Sequence, residues 1–133
     1  MKEYTPDGMF VRELFQTELV YTIEEDSEGN IYLTSPCANL DANFNGKEVN
    51  LTADYNFYVV KYDPDLNNSW SNHVEEVTCS HTDVFVNSMD EVFLGVSLFS
   101  GTYFFDDLQV EVGSGLHYVI TKLNQNSGNF DWA

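Results

Sequence analysis

The sequence reads as an all-β protein made of two tandem antiparallel sheets, each of four strands. Three observations predict this. Short runs alternate in polarity or are rich in β-branched and aromatic residues, turn-forming residues separate them, and a unit of about sixty residues is written twice. With 133 residues, 43% of them hydrophobic and 15% aromatic, the chain can bury one real core. It is too short for two independent domains and too apolar for a disordered tail, so residues 1–133 are expected to form a single domain.

The duplication orders the elements. A shift of 61 residues lays Asn30 to Leu66 on Glu91 to Ser127 without a gap. Ile31-Tyr32-Leu33 falls on Val92-Phe93-Leu94, Phe44 on Phe105, and Phe57 through Lys61 on Tyr118 through Lys122. Outside this stretch the shift changes at turns, where a repeated fold accepts insertions. Tyr21-Thr22-Ile23 matches Val84-Phe85-Val86 at 63, with the Asp26 to Gly29 turn read as two residues longer than its counterpart around Met89-Asp90; Trp70 matches Trp132 at 62.

Unit one then covers about residues 10–70 and unit two about 71–133. The expected strands of the first are Val11 to Ile23, Asn30 to Ser35, Lys47 to Thr52 and Asn56 to Tyr62. Those of the second are Val74 to Val86, Glu91 to Ser97, Leu108 to Val112 and His117 to Leu123. Glu28-Gly29-Asn30, Asn45-Gly46, Pro64-Asp65, Asp106-Asp107, Gly113-Ser114-Gly115 and Ser127-Gly128-Asn129 supply the positive φ or side-chain capping that hairpins need. No helix is required. The best helical pattern, apolar at 11, 14, 15, 19 and 20, covers Val11 to Tyr21.

Gly29-Asn30-Ile31-Tyr32-Leu33-Thr34, then Phe57-Tyr58-Val59-Val60-Lys61-Tyr62-Asp63, then Trp70, in that order and spacing, resembles the bacterial seven-bladed β-propeller repeat family. The second unit departs at Glu91 and Asn124 and lacks the glycine before Glu91, yet keeps Tyr118-Val119-Ile120, Lys122-Leu123, Gly128-Asn129 and Trp132. The resemblance covers the chain from about Val20 onward. It implies four-stranded blade-like sheets packed face to face, a scaffolding or binding role and no shared catalytic residues. Two blades cannot close a propeller. Their faces and edges must be covered by assembly or by another protein, or the two sheets must pack on one another as a sandwich.

Twenty-two acidic residues against five basic ones give a net charge of −17, which repels nucleic acid and anionic lipid and would favour a basic partner. The five cations are scattered, so no basic stripe exists. No apolar run reaches signal-peptide or membrane-spanning length in the chain as given. A soluble chain is expected, in the cytoplasm, on a virion or at a cell surface.

Candidate sites are few. Cys79, His81 and Asp83 alternate along one strand, but steps of about 6.6 Å keep three such ligands from one ion. Asp63, Asp65 and Asn67 have the alternating oxygen donors that open a calcium loop, without its later glycine and glutamate, so they offer a weak calcium site or merely a hairpin turn. No other cofactor is expected. Lys61 and Lys122 recur at equivalent places, which argues for a structural task, and the histidines stand near no nucleophile motif. Cys37 and Cys79 read as two free thiols rather than a disulfide framework.

Phe99, Tyr103 and Phe104 crowd one segment, and with Trp132 they form either a partner-binding surface or the core between the units. These features point to a non-enzymatic structural or binding module that works through protein–protein assembly, with a protein partner or a second copy. The alternative is an acidic inhibitor or immunity-type protein that blocks a basic or nucleic-acid-binding site.

Overall fold

A computed structural model describes residues 2–13, 20–37, 41–44, 47–50, 56–77 and 79–133. Among the described residues the chain is all-β. A short hairpin pairs β1 (Lys2–Tyr4) with β2 (Phe10–Glu13). The first four-stranded antiparallel sheet runs β3 (Thr22–Glu25), β4 (Ile31–Cys37), β7 (Asn56–Tyr62), β8 (Asn68–Glu75). A two-stranded ribbon, β5 (Asp41–Phe44) with β6 (Lys47–Asn50), is inserted between its second and third strands. The second sheet repeats the plan with β9 (Cys79–Val86), β10 (Val92–Leu98), β13 (His117–Leu123) and β14 (Phe130–Trp132), and its ribbon is β11 (Gly101–Phe105) with β12 (Leu108–Val112).

Two expectations need correction. The runs around Lys47 and Leu108 belong to the ribbons, and the fourth place in each sheet goes to the tryptophan-bearing segment, so the first sheet continues through Glu75. The polar sequence of β8 hides a strand because only every other residue there, Trp70 and Val74 included, needs burial. Phe10–Glu13 is strand, in keeping with the expected run from Val11, while residues 14–19, which that run shares with the helical pattern, lie outside the described ones.

The hairpins that join neighbouring strands share one chemistry. The first residue of each turn accepts backbone N–H groups on its side-chain oxygen: Asp26 from Glu28 and Asn30 at 3.0 and 2.9 Å, and Asp63 from Asp65 and Asn67 at 3.0 and 2.8 Å. Asn87 accepts from Met89 and Glu91, both at 2.9 Å, and Asn124 from Asn126 and Ser127 at 3.0 and 3.2 Å. Each turn then needs one left-handed residue, supplied by Gly29, Leu66, Asp90 and Gly128 at φ 82°, 63°, 60° and 78°.

The turns at 26–30 and 87–91 are therefore the same length, since Asp26 N donates to Asn30 O and Asn87 N to Glu91 O. The shift of 61 continues through them, placing Ile23 on Val84; the expected change to 63 does not occur. Asp90 stands in for the glycine that seemed to be missing. The turn before β14 is one residue longer than that before β8, with Asn124 N reaching Asn129 O where Asp63 N reaches Asn67 O, which accounts for the shift of 62 at the tryptophans.

The two sheets stack through unlike faces. Tyr32, Phe57, Val59, Trp70 and Val74 on one face of the first sheet pack on Val84, Val92, Leu94, Val96 and Leu98 of the second, with Tyr103 and Phe105 of the β11–β12 ribbon in the same core. Burial of such side chains contributes about 1.5–3 kcal/mol each. Polar contacts fix the stacking. Val84 N donates to Thr22 Oγ1 at 2.9 Å, Thr34 Oγ1 donates to Thr82 O at 3.3 Å, and Ser27 N and Oγ donate to the Asp90 carboxylate at 2.9 and 2.5 Å. The opposite face of the first sheet holds Leu33, Tyr58, Val60 and Tyr62 in a separate cluster with Phe44 and Leu66.

Partial burial alone would raise the Asp26 carboxyl, but hydrogen bonds from Asn30, Tyr32 and Glu28 outweigh it and hold the pKa below the ordinary aspartate value. Its contribution to stability is present above the unfolded pKa of about 3.9 and is lost as pH falls through the depressed folded value. Asp26→Ala should cost about 2 kcal/mol at neutral pH. Asp26→Asn, the residue found at positions 87 and 124, should cost less and should remove this part of the acid destabilisation; urea unfolding at neutral and acid pH measures both.

A Cβ on Gly128 would stand 2.5 Å from the Trp70 ring in a left-handed backbone, whereas one on Gly95 meets only the movable Tyr118 ring. Gly128→Ala is expected to lose about 2 kcal/mol or more, and Gly95→Ala clearly less, by thermal unfolding.

A candidate interface on the open face of the second sheet

Alternation along each strand sends half its residues to either face, and cross-strand pairing lines them into rows. In the second sheet one such row runs Phe85, Phe93, Lys122, Trp132 across β9, β10, β13 and β14. The Phe85 and Phe93 rings stack at 4.9 Å, and Phe93 and Trp132 lie 6.1 Å apart at 59°. Beside the row stand Ile120 and Tyr118, the latter lying over Gly95. Tyr118 donates to Asp83 at 3.1 Å, and His81 Nε2 sits 3.1 Å from the same carboxylate. Trp132, Tyr118, Ile120 and Phe85 remain 46, 53, 45 and 43% exposed.

The first sheet carries the same row 61 or 62 positions earlier: Glu24, Tyr32, Lys61, Trp70. Tyr32 and Trp70 are again 6.1 Å apart, at 56°, and the Lys61 ammonium lies 5.3 Å from the Tyr32 ring centre. Here Tyr32 and Trp70 are buried against the second sheet, at 0 and 6% exposure, while Lys61 is half-buried and Glu24 at the β3 end is exposed. Trp70 Nε1 and Lys61 Nζ both donate to the Gln125 carbonyl, at 2.9 and 3.3 Å. Lys122 instead pairs with Glu91 at 2.7 Å, a contact that lowers the Glu91 pKa and raises that of Lys122. Burial, then the Asp83 carboxylate, raises Tyr118.

The structure separates the residues that sequence grouped as an interface. Tyr103 is buried in the core and donates its hydroxyl to Phe99 O at 2.9 Å, so it offers no anchor to a partner. Phe99 and Phe104 are exposed at the ribbon, where Phe104 lines a shallow hollow with His73, Glu75 and Asp106. Only Trp132 of the four stands on the open sheet face. Phe85, Phe93, Tyr118 and Ile120 were missed, although His117 to Leu123 carries the signal: it is apolar on both faces, as the first sheet's Asn56 to Tyr62 is.

Asp63 is occupied as a turn cap, taking Asp65 N, Asn67 N and Asn67 Nδ2, the last at 2.9 Å, and a neutral Asn124 does the same work in the second sheet. Among the described residues no three His, Cys, Asp or Glu groups gather as metal ligands. A bulge in β9 opposite Ser97 and Leu98 breaks the expected alternation, turning Cys79 into the core and leaving His81 and Asp83 outside. Burial raises the thiol pKa of the free Cys79. The Cys37 side chain lies outside the described residues.

The architecture is thus a stack of two like sheets with one row of a kind buried and its counterpart open. No known family, curated protein or solved structure matches the chain.

Trp70 and Trp132 should be distinguishable in solution. Acrylamide is expected to quench one tryptophan readily and the other poorly, and Trp132→Phe should remove the quenchable, red-shifted part of the emission while leaving the melting temperature nearly unchanged.

Proposed function

We propose that the chain is a non-enzymatic structural or binding module that assembles with protein through the open face of its second sheet. One observation carries this reading: the side chains that the first sheet buries in stacking recur on the second sheet in the same geometry, without a cover. Single exposed hydrophobics are ordinary, but an aromatic and aliphatic patch that draws on all four strands, through Phe85, Phe93, Ile120 with Tyr118, and Trp132, is the mark of an interaction surface. Its tryptophan and tyrosine are the residue types that dominate binding energy once desolvated. The surrounding net charge of −17 keeps the chain dispersed and lets it discriminate among partners. In this reading the two sheets are blade-like units of a repeat, and the module belongs to a larger assembly such as a virion or a cell surface.

A photo-reactive amino acid in place of Ile120 tests it in the cells that carry this chain. Protein adducts are expected there and none from the same probe at Glu111 on the ribbon, and the adducts should survive about 0.5 M salt. Adducts at 111 but not 120 would overturn the assignment of the face. Loss of all adducts in salt would move the reading to an acidic surface that engages a basic site.

A further inference from the structure

Resting on that reading, we infer that the open face is covered by a further four-stranded sheet of the same build, supplied by a polypeptide other than a second copy of this chain. The junction between the two sheets is the template. There the Tyr32–Lys61–Trp70 row lies on an aliphatic sheet face that ends in a hairpin turn. That turn does two things: its Gln125 carbonyl accepts from both Trp70 and Lys61, and its Gly128 leaves room for the indole. Phe93, Lys122 and Trp132 repeat the donors and the ring spacing. The fitting partner therefore presents an apolar sheet face, a turn carbonyl within reach of Trp132 Nε1 and Lys122 Nζ, and a glycine in the left-handed position beneath the indole.

A second copy does not present this surface. The face of the first sheet that corresponds to the template is already closed, with Leu33, Tyr58, Val60 and Tyr62 fully buried. The left-handed position of its turn holds Leu66 at φ 63° instead of glycine, and so lacks the seat that Gly128 gives to Trp70. Two open faces meeting each other would offer aromatic rows and Lys122 to one another, with no turn carbonyl to receive the donors. Each chain would also bring a charge of −17. Lys122 can leave Glu91 for such a carbonyl, since both side chains of the pair keep part of their surface in solvent, 29 and 33%.

The test supplies the missing sheet. Residues 71–133 are appended a second time directly after Trp132 in place of Ala133, with the new terminal tryptophan changed to Phe, so that a copy of the template face is tethered to the open one. Emission from Trp132 is expected to shift to the blue and lose most of its acrylamide quenching, amide exchange across Tyr118–Leu123 should slow, and unfolding should remain one transition at a higher temperature. Leu in place of the glycine in the appended copy's counterpart of the Gly128 turn should reverse these changes. An appended sheet that stays unfolded, or that folds while Trp132 remains as quenchable as before, overturns the inference.

Sedimentation of the unextended 133-residue chain is independent of that folding. A monomer at roughly 100 µM is expected, and a dimer abolished by Ile120→Asp would show the occupant to be a second copy. Either failure leaves the cross-linking result at position 120 standing, so the occupant and the face are tested separately.

Discussion

Everything in this molecule depends on the seating of Trp70 and Lys61 upon the hairpin turn of the neighbouring sheet. One carbonyl, that of Gln125, receives both donors, and one glycine leaves the space for the ring. The contact joins unlike surfaces, an aromatic row on one side and an aliphatic face on the other. Two sheets of one pattern stacked in this way cannot satisfy each other completely, as two equivalent faces brought together would. One aromatic row is buried and the other left open, while one aliphatic face is consumed in the stack and the other is closed over within the first unit.

The turns position this contact because they lie at one end of the stack and are rigidified from within. A capping carboxylate or amide and a single left-handed residue hold each hairpin, and the same end carries the bonds between sheets, Ser27 to Asp90 as well as Trp70 and Lys61 to Gln125. The ribbons leave from the other end, where Phe105 and Tyr103 reach back into the core. Local turn chemistry, strand register and packing between sheets thus support one another, the consistency across levels that gives one native arrangement.

Much of this was legible in the sequence. The gap-free register from Asn30 to Leu66 against Glu91 to Ser127 located six of the strands, and the recurrent Lys and Trp marked the row that matters. What escaped has physical causes. Asp90 in a left-handed turn looks like an ordinary acidic residue, so its hairpin was read as shortened. The polar β8 shows only half of its faces to the core, and a single bulge moves Cys79 across the sheet. Period-two alternation tells which residues share a face but not which face meets which, so Tyr103 was grouped with Trp132 although one is in the core and the other in solvent.

Leu66 has a consequence beyond local strain. Stacks of unlike faces have a direction, and nothing in such a contact by itself limits length, which is how fibres arise. In the assembly proposed above, a first sheet that is closed over and has a leucine where the seat should be leaves this chain able to begin a column or end one but not to propagate it. One partner sheet per chain then covers the open face, and the column stops at the first sheet.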